Sequence, residues 1–343
     1  MAECMASSAN RRAHFSFQCP ARRAQQGMAV IGVLLVVAII AVLAAAMMGR
    51  QTVAIRGVQS ELTRLQAGWL LRGELARAQL TLRAEAMRGP VTRLDGRWNR
   101  PVAGLTIGPV AGEPARLFSE IVDEQAKFNL RNLVDNGLPD PIEIDAFLRL
   151  CALLGVPEEQ GMLMARRVVV SLVAAERRTD AAPPESEAAR AAAERLGLAD
   201  IPQRELAPRL RVVEDLLAVP HVAAESVARL QPYVTVLPRR TWINGNTASA
   251  ELIAAWVPGL PLERARALLQ TRDGGQWFIN RGDFVNRLQM PELVANTVHI
   301  GITSQWFRVS AALRLPHTLV MMQALLHDDK ETLPRVIWFR EGV

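Results

Sequence analysis

The chain has 343 residues, 50% of them hydrophobic, and a net charge of +6; that length allows two domains or one domain with a large insertion. Arg11, Arg12, Arg22 and Arg23 against Glu3 put +3 of the charge in residues 1–27, and the +3 left for the remainder falls short of a nucleic-acid-binding excess. Cys4, Cys19 and Cys151 are too few for a disulfide scaffold, and two of them precede the long apolar run, so an oxidising compartment is allowed but not required.

Met28 to Met48 is a run of 21 residues without a charge. At ~1.5 Å per residue a helix of that length spans the hydrocarbon core of a bilayer. The basic residues ahead of it keep the N-terminus cytoplasmic and send the rest across, although Arg50 and Arg56 beyond it weaken that signal. A secretory signal peptide, cut near Ala44-Ala45-Ala46, and a twin-arginine signal at Arg22-Arg23 are rivals. The first usually has a shorter apolar core, and the second lacks its flanking residues. Past the run the helical pattern continues to about Leu82. Val58, Leu62, Leu65, Trp69, Ala76 and Leu80 recur at three- and four-residue steps, which predicts one apolar stripe. The second half of that stripe fits a core-facing helix. Gly49, Gly57, Gly68 and Gly73 are points where kinks are expected.

The stem is expected to end at Trp98–Pro101. Arg116 to Val122 reads as a strand, Asp123–Ala126 as a hairpin turn with solvated acids, and Lys127 to Leu130 as a second strand. Helices are predicted at Ile142–Leu154, closed by Gly155, at Glu158–Ala175, and to Leu196 after a loop at Thr179–Glu187. Two short helices broken at Pro220 follow, then a strand at Tyr233–Leu237. Thr247 is placed to cap a helix beginning near Ala248. Helix–hairpin–helix units centre on Val219-Pro220-His221-Val222 and on Val257-Pro258-Gly259-Leu260-Pro261. Pro261 removes a backbone donor that a phosphate grip would need, so these hairpins are read as packing helices. Val298–Leu315, Leu319–Leu326 and Arg335–Arg340 predict a three-stranded antiparallel meander, with an exposed charged turn at His327–Pro334.

No catalytic constellation is found. His14, His221, His299, His317 and His327 are scattered, and no glycine-rich phosphate loop or nucleophile elbow occurs. Asp123 and Glu124 have no histidine or nucleophile beside them, so no catalytic residue and no metal ligand is assigned.

Gln25-Gln26-Gly27-Met28-Ala29 before the apolar run resembles a type IV prepilin leader. The resemblance implies that a prepilin peptidase cuts between Gly27 and Met28 and methylates Met28. Gly32 stands where most pilins have glutamate, and the K-type minor pseudopilin of type II secretion is the member that normally lacks it. An unpaired carboxylate in hydrocarbon is costly. Ile121 to Leu130, with Ala126 for a usual glycine, and Thr241 to Ala248, with Gly245 for a usual valine, resemble further signatures of that family.

The implied fold is α+β: a type IV pilin-like long N-terminal helix on a small antiparallel sheet, with a large, mostly helical, helix–hairpin–helix or SAM-like insertion. The expected organisation has residues 1–27 as leader, 28–48 as transmembrane helix and 49–100 as its amphipathic continuation. Residues 101–138 begin the sheet, 139–231 form the helical insertion, and 232–247 form a return strand and signature loop. Residues 248–299 carry the second hairpin region and 300–343 the last strands. The implied function is a non-enzymatic subunit at the tip of the secretion pseudopilus, in the inner membrane with its C-terminal domain periplasmic. Implied partners are the I and J minor pseudopilins, other pseudopilins and the prepilin peptidase, with no nucleic acid. Some relatives hold calcium in acidic loops; here Asp180, Glu185 and Glu187 lack alternating oxygen ligands, which leaves calcium unsupported. The alternative is a membrane-anchored helix–hairpin–helix DNA-binding protein of DNA uptake.

Overall fold

A computed structural model describes residues 25–176, 187–198, 207–293 and 298–342. Residues 1–24 of the leader, and the loop carrying Asp180 and Glu185, lie outside the described residues. The chain divides into two compact units, Met1–Thr63 and Arg64–Val343.

Helix α1 runs from Gln25 to Ala86 and continues through Gly49, Gly57, Gly68 and Gly73, where kinks were expected. In the first unit its residues 29–62 are all exposed. A helix apolar on every face, as Val30 to Met48 is, has no solvated side to offer. The Thr52 and Thr63 hydroxyls donate back to the carbonyls of Met48 and Gln59, each at 2.9 Å.

The second unit is built on two hydrophobic cores. After α1, strand β1 (Val102–Val110) turns at Ala111-Gly112 into β2 (Glu113–Asp123). There follow the two-residue strands β3 (Phe128–Asn129), β4 (Val134–Asp135) and β5 (Leu138–Pro139). The helices α2 (Pro141–Leu153), α3 (Glu158–Glu176), α4 (Glu187–Arg195) and α5 (Ala224–Leu230) come next. Then β6 (Val234–Thr235) and β7 (Ile243–Asn244) precede α6 (Ala250–Trp256), α7 (Leu262–Asp273) and α8 (Arg281–Leu288). The chain closes with β8 (Ile300–Gly301), β9 (Trp306–Arg314), β10 (Leu319–His327) and β11 (Arg335–Gly342). The main sheet is antiparallel, in the order β1-β2-β9-β10-β11. The expected C-terminal meander is therefore present, and its first strand pairs with β2 across the whole insertion.

Alternation fixes the sheet's inner face. Leu117 and Ile121 of β2, Phe307, Val309 and Leu313 of β9, and Val320, Met322 and Leu326 of β10 are buried together. Against them lie Ala67, Leu71, Leu75, Ala78 and Leu82 of α1. This corrects the predicted stripe: Leu65, Trp69 and Leu80 are 60%, 68% and 63% exposed. The helix carries enough apolar residues for two stripes, and the sheet takes the one with two alanines, which allows close approach. Gln66 Oε1 accepts from the Ala111 amide (2.6 Å), and Gln79 Nε2 donates to the Pro334 carbonyl (2.7 Å), fixing the helix at both ends of the sheet.

The insertion has its own core, drawn from Phe128 to Ile300 and centred on residues such as Phe147, Leu150, Met164, Leu252 and Phe284. Both helix–hairpin–helix units serve it. Leu216, Val219, Val227 and Leu230 of the first are buried, as are Ile253, Val257, Leu260, Ala265 and Leu269 of the second. Gly259 makes the tight turn of the second with φ +77°.

The region around β2 departs from expectation twice. Strand β1 is not anticipated by the sequence pattern. The segments 116–122 and 127–130 do not form a hairpin with each other: β3 pairs in parallel with β6, and Asp123 and Glu124 are buried, not solvated. The turn after β10 also differs, since Asp328 is buried and paired with Lys330 at 2.8 Å.

Candidate functional site

Among the described residues no group of three or more His, Cys, Asp or Glu side chains could hold a metal ion. Cys151 is buried, and burial pushes its thiol up to about 12, far from a reactive thiolate. What the chain offers is a stem and a surface.

The stem carries the predicted site residues. Gly27 and Met28 lie in α1 near its start at Gln25. Gly32 lies one turn further on, and a Cβ there would meet nothing within 4 Å. No packing within the chain requires glycine at 32. One helix of the described residues, in Ala29–Ala86, is long and apolar enough to cross a membrane.

The two signature segments, 121–130 and 241–248, are brought side by side. Gln125 Nε2 donates to the Trp242 carbonyl (2.8 Å), and Asn132 exchanges two bonds with the Thr241 backbone, at 2.8 and 3.0 Å. Asn129 donates to the Arg239 carbonyl (2.8 Å) and accepts from the Leu237 amide (3.1 Å). Asparagine and glutamine suit this work because each both donates and accepts.

Asp123, 3% exposed at the end of β2, is the centre of the junction. Its carboxylate accepts from the Ser304 and Thr247 hydroxyls, both at 2.6 Å, from the Gln125 amide (2.8 Å) and from Asn244 Nδ2 (3.4 Å). Burial raises its pKa, and the hydroxyl and amide bonds oppose that rise. Thr247 is thus not the helix cap that its position suggested. Ser249 caps α6, its hydroxyl accepting from the Leu252 amide at 3.3 Å. Glu124, equally buried, is held by Lys127 (2.8 Å), Arg308 (3.2 Å) and the Thr235 hydroxyl. Both acids bind sheet to insertion.

Gly245 is explained by space. A Cβ there would lie 3.1 Å from Ile300 Cγ2 and 3.4 Å from Phe284 Cδ2, so valine would not fit this packing. The buried Arg272 donates from Nη1 to the carbonyls of Gly245 (2.9 Å) and Ala248 (2.8 Å). Sequence reasoning missed Arg272, Ser304 and Asn132, because their partners lie tens to hundreds of residues away. The asparagine-rich signature segments were the only local sign of them.

Comparison with known proteins places this architecture. Two family models, both described as type II secretion system protein K, match residues 126–239 and 243–303. The type II secretion system protein K of Klebsiella pneumoniae is 31% identical over 333 residues, 93% of this chain and 97% of that protein. That of Pseudomonas aeruginosa is 28% identical over 325 residues, 92% of each. The crystal structure of the GspK-GspI-GspJ complex from enterotoxigenic Escherichia coli contains a chain with the same fold (TM-score 0.60, 20% identity, 83% of this chain and 99% of that one). A relative of that identity over nearly its full length, with two family matches spanning the insertion, shows that this chain belongs to the type II secretion system protein K family.

Proposed function

We propose that the protein is the tip subunit of the secretion pseudopilus and acts by assembly, initiating or capping the filament that moves folded proteins through the outer membrane. Its family is a structural component of type II secretion, not an enzyme. The observation that carries the reading is α1, with residues 29–62 wholly exposed in the isolated chain and an uncharged run long enough for a bilayer. That surface anchors the subunit in the inner membrane, and then packs against neighbouring stems in the filament.

Within this reading, residues 1–27 are removed between Gly27 and Met28, and Met28 becomes the methylated N-terminus. The N-terminus is cytoplasmic and the sheet and insertion are periplasmic. Gly32 suits a subunit that has no neighbour above it and needs no buried carboxylate. The expected boundaries at 48, 100, 138, 231, 247 and 299 then divide membrane helix, stem, sheet and insertion. The partners are the I and J minor pseudopilins, the combination found in the similar solved complex, with other pseudopilins and the prepilin peptidase. The insertion of about 180 residues between β2 and β9 favours the tip, where nothing stacks above it. The DNA-uptake alternative draws no support from the relatives.

The test is the intact mass and N-terminal sequence of the membrane-extracted protein, with and without prepilin peptidase. A product starting at methylated Met28 only when the peptidase is present is expected. A product cut near Ala46, or an uncut chain in both, would overturn the reading.

A further inference from the structure

A groove of about 780 Å³ opens beside the signature junction, between residues 239–242, the start of α8 and the connection from β8 to β9. Its volume falls within the ~300–1,000 Å³ typical of small-ligand sites. Two indoles line it: Trp306, which is buried, and Trp242, which is 49% exposed. The Arg281 guanidinium lies 5.0 Å over the Trp242 ring, and His299 stacks on the same indole at 5.9 Å and 5°. The tryptophan is thereby held in place while much of its surface stays in water.

The charge is one-sided. Arg239, Arg240, Arg281 and His327 line the groove, and no aspartate or glutamate does. Arg240 is committed to Asp140 at 2.7 Å. Arg239, which is exposed, and Arg281, which is half-buried, form no ion pair among the described residues. Two guanidiniums without an ion pair, one of them lying over a half-exposed indole, are a recognition surface with a stated preference: planar anions, taken in bidentate fashion, next to an apolar group.

We propose that this groove binds a short acidic peptide segment of a partner protein, with carboxylates on Arg239 and Arg281 and an apolar side chain against the exposed edge of Trp242. The small number of free charges selects the occupant. Duplex DNA or an anionic bilayer is held by rows of basic residues that displace many counterions or meet many headgroups. Two guanidiniums match one or two carboxylates. The groove admits a few residues of extended chain and not a folded domain. The inference is independent of the tip assignment, since it rests only on this surface.

The test uses the full chain in detergent micelles and a fluorescein-labelled pentapeptide, Glu-Glu-Phe-Glu-Glu, read by fluorescence anisotropy. Binding is expected to weaken about tenfold in the Arg239→Gln/Arg281→Gln double variant, about tenfold with the Gln-Gln-Phe-Gln-Gln peptide, and steeply with added salt. Arg116→Gln, an exposed arginine on β2, is expected to leave it unchanged. Circular dichroism checks that each variant is folded. No binding of the acidic peptide, or equal binding by the double variant, would overturn the proposal. So would binding of duplex DNA or phosphatidylglycerol vesicles that the double variant loses while the peptide fails to bind.

Discussion

Replacing Asp123 by alanine would strip one acceptor from four donors at once. The Ser304 and Thr247 hydroxyls at 2.6 Å and the Gln125 amide at 2.8 Å would each lose their bond inside the junction. Hydrogen bonds to a charged group contribute roughly 1.5–3 kcal/mol each, and burying the carboxylate offsets part of their sum. Buried donors left without an acceptor cost roughly 1–3 kcal/mol each, and after the relief of the buried carboxylate a loss of about 3–5 kcal/mol is expected for Asp123→Ala. Asp123→Asn keeps the shape and removes the buried charge, and both hydroxyls can turn to accept from the new amide; about 1–2 kcal/mol is expected. The pH response separates the two effects. Because burial holds the pKa of Asp123 above its ordinary value, its contribution is full below the unfolded pKa and is lost as pH rises through the folded one. The native chain is therefore expected to lose stability on that rise, and Asp123→Asn to lack that component. Urea unfolding of the detergent-solubilised chain, followed by tryptophan fluorescence across pH, measures both. An alanine variant within about 1 kcal/mol of native would refute the reasoning.

Arg272→Ala removes both bonds to the Gly245 and Ala248 carbonyls and is expected to cost about 3 kcal/mol in the same urea assay. Gly245→Ala drives a methyl to 3.1 Å from Ile300, and an overpacking cost of about 1–3 kcal/mol is expected. Cys151 should resist iodoacetamide at pH 8 in the folded chain and react rapidly in urea, because its thiol is buried with a pKa pushed up to about 12. Asp329 accepts from the Thr332 amide and hydroxyl and from the Glu331 amide, which lower its pKa to about 2. Its contribution to loop order is present above the ordinary carboxylate pKa and is lost as pH falls through about 2. The Glu331 and Thr332 amide resonances should titrate there, and Asp329→Asn should abolish the titration.

Elements with strong local rules were readable from sequence. The helices α2 and α3, with Asp140 capping one and Gly155 closing it at φ +69°, lie within a residue or two of expectation. The C-terminal meander was legible from its alternation, but its first strand begins at Trp306 and not at Val298, because Ile300 and Gly301 pair in parallel with β7. β1 was not, because Gly104, Gly108 and Pro109 break its pattern and its register shifts twice against β2. Periodicity found α1 but chose the wrong face of it: the larger residues, Trp69 and Leu80, lie outside the sheet contact. Period alone says that a stripe exists, and the partner surface decides which one is buried. The acids at 123 and 124 failed for a related reason. A charged pair beside a turn residue looks solvated until the donors from positions 235, 244, 247, 304 and 308 arrive.

The separation of β2 from β9 sets an order on how the molecule comes into being. Closing a loop of about 180 residues costs roughly 4–5 kcal/mol of chain entropy, apart from a constant. The insertion core, contained within residues 128–300, can form first and bring the two ends together, so that most of that cost is met before the sheet closes. A chain made from its N-terminus has only β1 and β2 of the main sheet until residue 306 is reached. During that interval the inward edge of β2 is an unpaired strand, the kind of surface on which chains aggregate. Residues 306–342 then supply three strands at once and convert the open edge into the middle of the sheet.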